Sequence, residues 1–166
     1  QRVTVMGLGR FGGGSGVTKW LLENGAEVTL TDLTSEEELT EQLEQFRKYP
    51  KITFVLGEHR IEHFTNADLV IANPAVPQPW NNLYLQAAWD SGIQVTTEIE
   101  LVTQQLNRNQ VIGVTGTSGK STTASMIHAA LKASGIRSHL GGNIGGSLLQ
   151  SIRKINDNSA KRNNNN

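Results

Sequence analysis

RVTVMGLGRFG, residues 2–12, sets the fold. Arg2-Val3-Thr4-Val5-Met6 is a short apolar strand that runs without a spacer into Gly7-Leu8-Gly9-Arg10-Phe11-Gly12, a complete G-x-G-x-x-G. Beyond it, residues 17–24 read as a helix closed by Gly25, and Glu27-Val28-Thr29-Leu30-Thr31 reads as a second strand ending at Asp32. Strand, glycine turn, helix, strand and acid in this order make a β-α-β unit. Asp32 falls 20 residues past Gly12, where a ribose-binding carboxylate sits in a dinucleotide fold. The pattern marks a gap of diphosphate size over a helix N-terminus and does not choose the nucleotide, since NAD and a UDP-sugar fill it equally well.

The same alternation continues downstream. Ser35 with Glu38 three residues on is a capping box, and Leu39, Leu43 and Phe46 form the buried stripe of the helix it opens. Glu36, Glu37, Glu38, Glu41 and Glu44 are its solvated face. Residues 52–56 and 67–72 read as the third and fourth strands, residues 82–91 as a helix ended by Gly92, residues 93–96 as the fifth strand and residues 98–106 as another helix. Strand and helix in alternation imply an α/β fold: a parallel five-stranded sheet with helices on both faces. The rigid Asn73-Pro74-Ala75-Val76-Pro77 follows the fourth strand at its carboxyl end, the edge where open α/β sheets take ligands. His59-Arg60-Ile61-Glu62-His63 has the letters of an H-x-x-E-H zinc motif, but it is too short for a catalytic helix and lacks a third ligand, so it reads as a solvated connection. Trp20, Trp80 and Trp89 read as packing residues.

Fifteen basic residues balance fifteen acidic ones across 166 residues, so no global field favours nucleic acid or an anionic membrane, and any anion site must be local. The absence of cysteine excludes disulfides, thiolate metal sites and a cysteine nucleophile, which suits a reducing cytoplasm. No stretch approaches the roughly 20 apolar residues of a membrane span, and the chain opens as a strand, not as a signal peptide. The expectation is a cytoplasmic protein. Residues 156–166 are almost wholly polar and read as a disordered tail.

A polar break at Asn107-Arg108-Asn109-Gln110 separates the first domain, residues 1–107, from a second that starts at residue 108 and extends to about residue 155. This second domain opens with VIGVTGTSGKSTT, residues 111–123. An apolar, strand-forming run leads into a glycine-punctuated turn, then Lys120 and hydroxyls. Consecutive backbone N–H groups and a helix N-terminus can there converge on phosphates, with Lys120 on the outer phosphates and the Ser121 hydroxyl on Mg²⁺. A P-loop asks for glycine where Val114 stands, so the loop is the shorter Thr115-Gly116-Thr117-Ser118-Gly119-Lys120-Ser121-Thr122. A helix over residues 121–134 and a strand over residues 137–140 are expected to follow, then Gly141-Gly142-Asn143-Ile144-Gly145-Gly146.

A first domain of this kind followed by Thr-Gly-Thr-x-Gly-Lys-Ser-Thr and Gly-Gly-Asn-Ile-Gly resembles the Mur ligases of peptidoglycan synthesis, whose phosphate loop has the same form. The Gly-Leu-Gly opening, the position of Asp32, Pro74 and Glu98-Ile99-Glu100-Leu101 are most similar to the branch that adds D-glutamate to UDP-N-acetylmuramoyl-L-alanine. The resemblance covers residues 1 to about 153. It implies a Rossmann-like UDP-substrate domain followed by the start of a P-loop ATPase-type α/β domain, and an ATP- and Mg²⁺-dependent amide ligase working through an acyl phosphate. It implies that Gly116, Thr117, Ser118, Gly119, Lys120, Ser121 and Thr122 bind ATP, with Lys120, Ser121 and Thr122 the catalytic group and Ser121 on the metal. It also implies that Gly9, Arg10, Phe11 and Asp32 line the uridine diphosphate site, that Ala75 lies against the nucleotide, and that Asn143 contacts the muramoyl-peptide part. Many relatives have Ser-Pro-Gly at Asn73-Pro74-Ala75 and Thr at Leu33, so the uridine contacts are expected through stacking on Phe11 or through Thr34. The family's second magnesium carboxylate, modified lysine and D-glutamate-binding domain lie beyond residue 166, and these residues alone are expected to have no ligase activity. The reading from another class, a nicotinamide-dependent oxidoreductase or redox-sensing module on Gly7, Gly9, Gly12 and Asp32, leaves Lys120 and its loop without a role.

Overall fold

A computed structural model of the chain describes residues 1–9, 13–142 and 144–152. These fall into two compact units, Gln1–Glu98 and one that begins at Ile99. In the first, β1 (Arg2–Met6), β2 (Glu27–Asp32), β3 (Ile52–Leu56), β4 (Leu69–Ala72) and β5 (Gln94–Thr96) form one sheet in the order β3-β2-β1-β4-β5. Every pairing is parallel. The helices between them are α1 (Gly13–Glu23), α2 (Glu36–Glu44), α3 (Ile61–Thr65) and α4 (Leu83–Asp90).

The central strands are apolar on both faces because helices cover both. Val3, Val5, Val28, Leu30 and Val70 are at most 1% exposed. On one face Met6, Phe64, Val70, Ala72, Leu85 and Ala88 make a continuous core. The polar side chains buried in the sheet have partners on the neighbouring connections: the Thr4 hydroxyl donates to the His63 carbonyl at 2.5 Å, and Thr31 bonds within the loop after β3. Ser35 caps α2, accepting from the Glu38 N–H, while its hydroxyl donates to the Glu38 carboxylate at 3.2 Å. Leu39, Leu43 and Phe46 are buried as the stripe requires.

The structure corrects several sequence expectations. Helix α1 begins at Gly13, four residues before the expected Val17, because two glycines let it start directly beneath the end of β1. Residues 59–63 are solvated at Arg60, Ile61 and Glu62, but α3 forms within the segment and carries Phe64, just beyond it, to full burial. Trp80 and Trp89 are 71% and 44% exposed, so they are not packing residues.

In the second unit α5 (Glu98–Gln104), whose first residue closes the first unit, leads to a single 3-10 turn at Arg108–Gln110, capped by Asn107. Then comes α6 (Lys120–Ala133). The strands expected at residues 111–114 and 137–140 are not formed. Val111 has extended backbone, φ −118° and ψ 128°, but a strand exists only against a ladder partner, and the described residues of this unit supply none. Ile112, Met126 and Ile136 are more than half exposed, and α6 buries no residue.

Candidate functional site

The strand order reverses between β1 and β4, and the loops leaving their carboxyl ends meet there. Gly7 and Gly9 hold left-handed backbone, φ 88° and 71°. The β4 loop approaches so closely that a Cβ on Gly9 would lie 2.2 Å from Asn73 Nδ2. Asn73 N–H donates to the Met6 carbonyl at 3.0 Å, and its side-chain oxygen accepts the Ala75 N–H at 2.9 Å. A side chain at Gly9 would have to displace that amide and would be strained in the left-handed backbone besides.

Glycine also sets the seat of α1. A Cβ on Gly14 would meet the Gly7 and Leu8 carbonyl oxygens at 2.2 and 2.4 Å. The helix N-terminus is therefore pressed against the turn that would receive a diphosphate. A Cβ on Gly13 would lie 2.7 Å from Glu98 Oε2, which places a carboxylate at the same helix end. Gly7, Gly13, Gly14, Ala72, Asn73 and Glu98 enclose a slot of about 10 Å³, the space of about one water.

Asp32, half-buried at the end of β2, joins two loops. Its Oδ2 accepts the Leu8 N–H at 2.9 Å and its Oδ1 the Thr34 N–H at 2.9 Å. One carboxylate thus fixes both the glycine turn and the start of the α2 connection. Asparagine has only one acceptor oxygen and must turn an NH₂ toward one of those N–H groups. Asp32→Asn is expected to cost about 1–3 kcal/mol, the desolvation of an orphaned donor, read as a lower midpoint in urea. An unchanged midpoint removes the bridge from the account.

In the second unit Gly119 holds left-handed backbone, φ 73°, directly before the 14-residue α6. Lys120 folds back over the loop and donates to the Gly116 carbonyl at 2.7 Å. Ser121, Thr122, Ser125, Met126, Leu140 and Ile144 border a concavity of about 560 Å³. Arrangement and residue types suit a nucleotide phosphate: a helix N-terminus, a lysine held over the turn, and exposed hydroxyls on Ser121 and Thr122.

Gly9 and Asp32 are thus brought together at one edge, with Ala75 on the facing loop and exposed. Residues 116–119 form the bend before α6, and Lys120, Ser121 and Thr122 its first turn. Arg10, Phe11, Gly12 and Asn143 lie outside the described residues, as does the tail. Sequence reasoning put the Asn73 segment at this edge but did not find Gly13, Gly14 or the carboxylate of Glu98 as parts of the site. The doubling of glycine after Gly12 was the available signal for the first two. No helix among the described residues is long and apolar enough to cross a membrane.

Comparison with known proteins adds a family to this geometry. Residues 1–97 match the family described as Mur ligase MurD-like, N-terminal domain. The chain is 44% identical over 153 residues to the UDP-N-acetylmuramoylalanine--D-glutamate ligase of Treponema pallidum (strain Nichols), an alignment covering 92% of this chain and 28% of that protein. It is 45% identical over 146 residues to the ligase of the same name from Borreliella afzelii (strain PKo), covering 87% and 31%. The corresponding figures for that of Roseiflexus sp. (strain RS-1) are 40% over 155 residues, 93% and 32%. The chain therefore spans about three tenths of the length of the curated relatives it matches.

Proposed function

We propose, on the premise that the chain belongs to the Mur ligase family with a MurD-like N-terminal domain, that it is the N-terminal part of an ATP-dependent ligase joining D-glutamate to UDP-N-acetylmuramoyl-L-alanine in the cytoplasm, a step of peptidoglycan and cell-wall synthesis. The observation that carries this is the 44% identity running through both the Rossmann-like unit and the lysine loop. Residues 1–107 hold the UDP end of the substrate through Gly9, Arg10, Phe11, Asp32 and Ala75. Residues 108–155 begin the ATP-binding domain, and Asn143 touches the muramoyl-peptide part. Neither nucleic acid nor a membrane is a partner.

The chemistry needs activation, because a carboxylate is a poor acyl donor at neutral pH. The substrate carboxylate oxygen attacks the γ-phosphorus of ATP and ADP leaves; the amine of D-glutamate then attacks the acyl phosphate carbon, loses a proton and expels phosphate. The protein's contribution is position and charge. Lys120 neutralises the β- and γ-phosphates, and the backbone N–H groups of Gly116, Thr117, Ser118 and Gly119 surround them. Ser121 would hold Mg²⁺, with Thr122 in support, and the ion when bound supplies further charge neutralisation.

The test is a titration of this chain with UDP-N-acetylmuramoyl-L-alanine and, separately, with NADH, followed by calorimetry. Saturable binding of the UDP-sugar and none of NADH is expected. The reverse result assigns the glycine turn to a nicotinamide cofactor and overturns the proposal.

A further inference from the structure

The hydroxyl of Thr31, one residue before Asp32, has a single proton and two neighbours within hydrogen-bond distance. Oγ1 lies 3.1 Å from the Glu58 carbonyl, which can only accept, and 2.7 Å from His59 Nδ1. We assign the hydroxyl proton to that carbonyl; the hydroxyl then accepts from the ring, which puts the hydrogen on Nδ1 and the lone pair on Nε2. The ring is held edge-to-face by Tyr84 at 5.2 Å and by the buried Phe64 at 5.9 Å. Burial pushes the His59 pKa below the ordinary histidine value, and the Asp32 carboxylate pulls part of the way back. The lowered pKa favours the uncharged imidazole, which with the hydrogen on Nδ1 has one acceptor left at Nε2.

Its place in the fold is the ligand edge. Asp32 is in register with Leu56, the last residue of β3, and His59 follows three residues later. Each Asp32 oxygen already accepts a backbone N–H and keeps a second lone pair, so the carboxylate can still take a ribose hydroxyl, but being only an acceptor pair shared with its own loops it does not by itself read the base. Directly after it, Leu33 is 66% exposed and offers apolar surface of the kind a base can cover.

We propose that His59 is a specificity-determining residue for the nucleoside end of the ligand, its Nε2 accepting a hydrogen bond from the base. This rests on the UDP-substrate reading above and extends it to base selection. Uracil presents N3–H, a donor, where cytosine presents a bare N3, an acceptor. A neutral imidazole with its hydrogen on Nδ1 therefore favours uracil and opposes cytosine, as sites built to bond one group reject its counterpart.

The experiment measures the affinities of UDP, CDP and inorganic pyrophosphate for this chain and for its His59→Phe and His59→Gln variants. The unsubstituted chain is expected to prefer UDP to CDP by about tenfold or more, the equivalent of one good hydrogen bond. His59→Phe should lose that preference while pyrophosphate affinity stays constant, and His59→Gln, which retains an acceptor oxygen, should recover part of it. Acidification below the His59 pKa puts a proton on Nε2 and should erode the preference in the unsubstituted chain but not in His59→Phe; Asp32 and Tyr84 are the titratable groups beside the ring. A purely structural histidine would weaken all three ligands alike in both variants. That outcome, or a UDP preference unchanged in His59→Phe, overturns the proposal. Failure of the unsubstituted chain to bind UDP or the UDP-sugar overturns instead the reading of the site on which it rests.

Discussion

Lys120→Ala in the complete ligase is expected to reduce turnover by about a thousandfold, the scale on which charge-stabilising groups act in phosphoryl transfer. The reason is local. These 166 residues carry no net charge, so on the proposed reading the counter-charge that they offer a triphosphate is local, and Lys120 is already held over the loop by the Gly116 carbonyl. Moving that hydrogen bond from a carbonyl to a phosphate oxygen requires a small displacement of a flexible side chain. Lys120 is exposed and α6 buries no residue among the described residues, so removal of the amine disturbs no packing seen there. Trapping the acyl phosphate with hydroxylamine measures the loss directly, and the affinity for the UDP-sugar should not change. Undiminished acyl phosphate formation would remove Lys120 from the mechanism.

The second large effect is on folding. Gly14→Ala puts a methyl group 2.2 Å from one backbone carbonyl oxygen and 2.4 Å from another. Neither is the end of a flexible side chain, so α1 must lift away from the end of β1, taking Val17, fully buried, with it. A loss of about 3 kcal/mol or more is expected, at the upper end of overpacking. For a domain near 100 residues this lowers the melting temperature by about 10 °C or more. Gly25→Ala is the comparison. That position is also left-handed, φ 84°, but has nothing within 4 Å, so it carries only the backbone penalty of about 1–2 kcal/mol. Calorimetry of the two variants separates steric contact from backbone strain. Equal melting temperatures would show that α1 is not seated by contact at Gly14.

The order of elements was legible because it is written in local chemistry: β-branched runs, glycine turns and caps such as Ser35 each act within a few residues. The start of α1 was not legible, since Gly13 and Gly14 are weak helix formers whose value lies in what they approach. Asn73 meets Gly7 across 66 residues, and no periodicity records such a meeting. His59 was misleading for a related reason: its segment looks polar in sequence, and the partners that bury its ring come from α3 and α4. The lysine loop was read from its letters, but the strand leading into it was not formed, because strand structure belongs to a pair of segments and no ladder joins residues 111–114 to another segment among the described residues. Exposed Trp80 shows the opposite limit, as a large aromatic side chain is not by itself a core residue.

The sheet order has a consequence for the chain as it is made. β1, the earliest strand of this sequence to leave the ribosome, lies in the middle of the sheet and pairs with β2 on one side and β4 on the other. The β1-β2-β3 half can assemble as synthesis proceeds, while the other flank of β1, with its open row of N–H and C=O groups, waits for residues 69–72. The glycine turn cannot reach its final shape before then, because Asn73, which closes on it, is translated one residue after β4 ends. Until residues 69–72 are translated, that flank of β1 therefore lacks its native partner, and an unpaired strand edge is a template for wrong pairing.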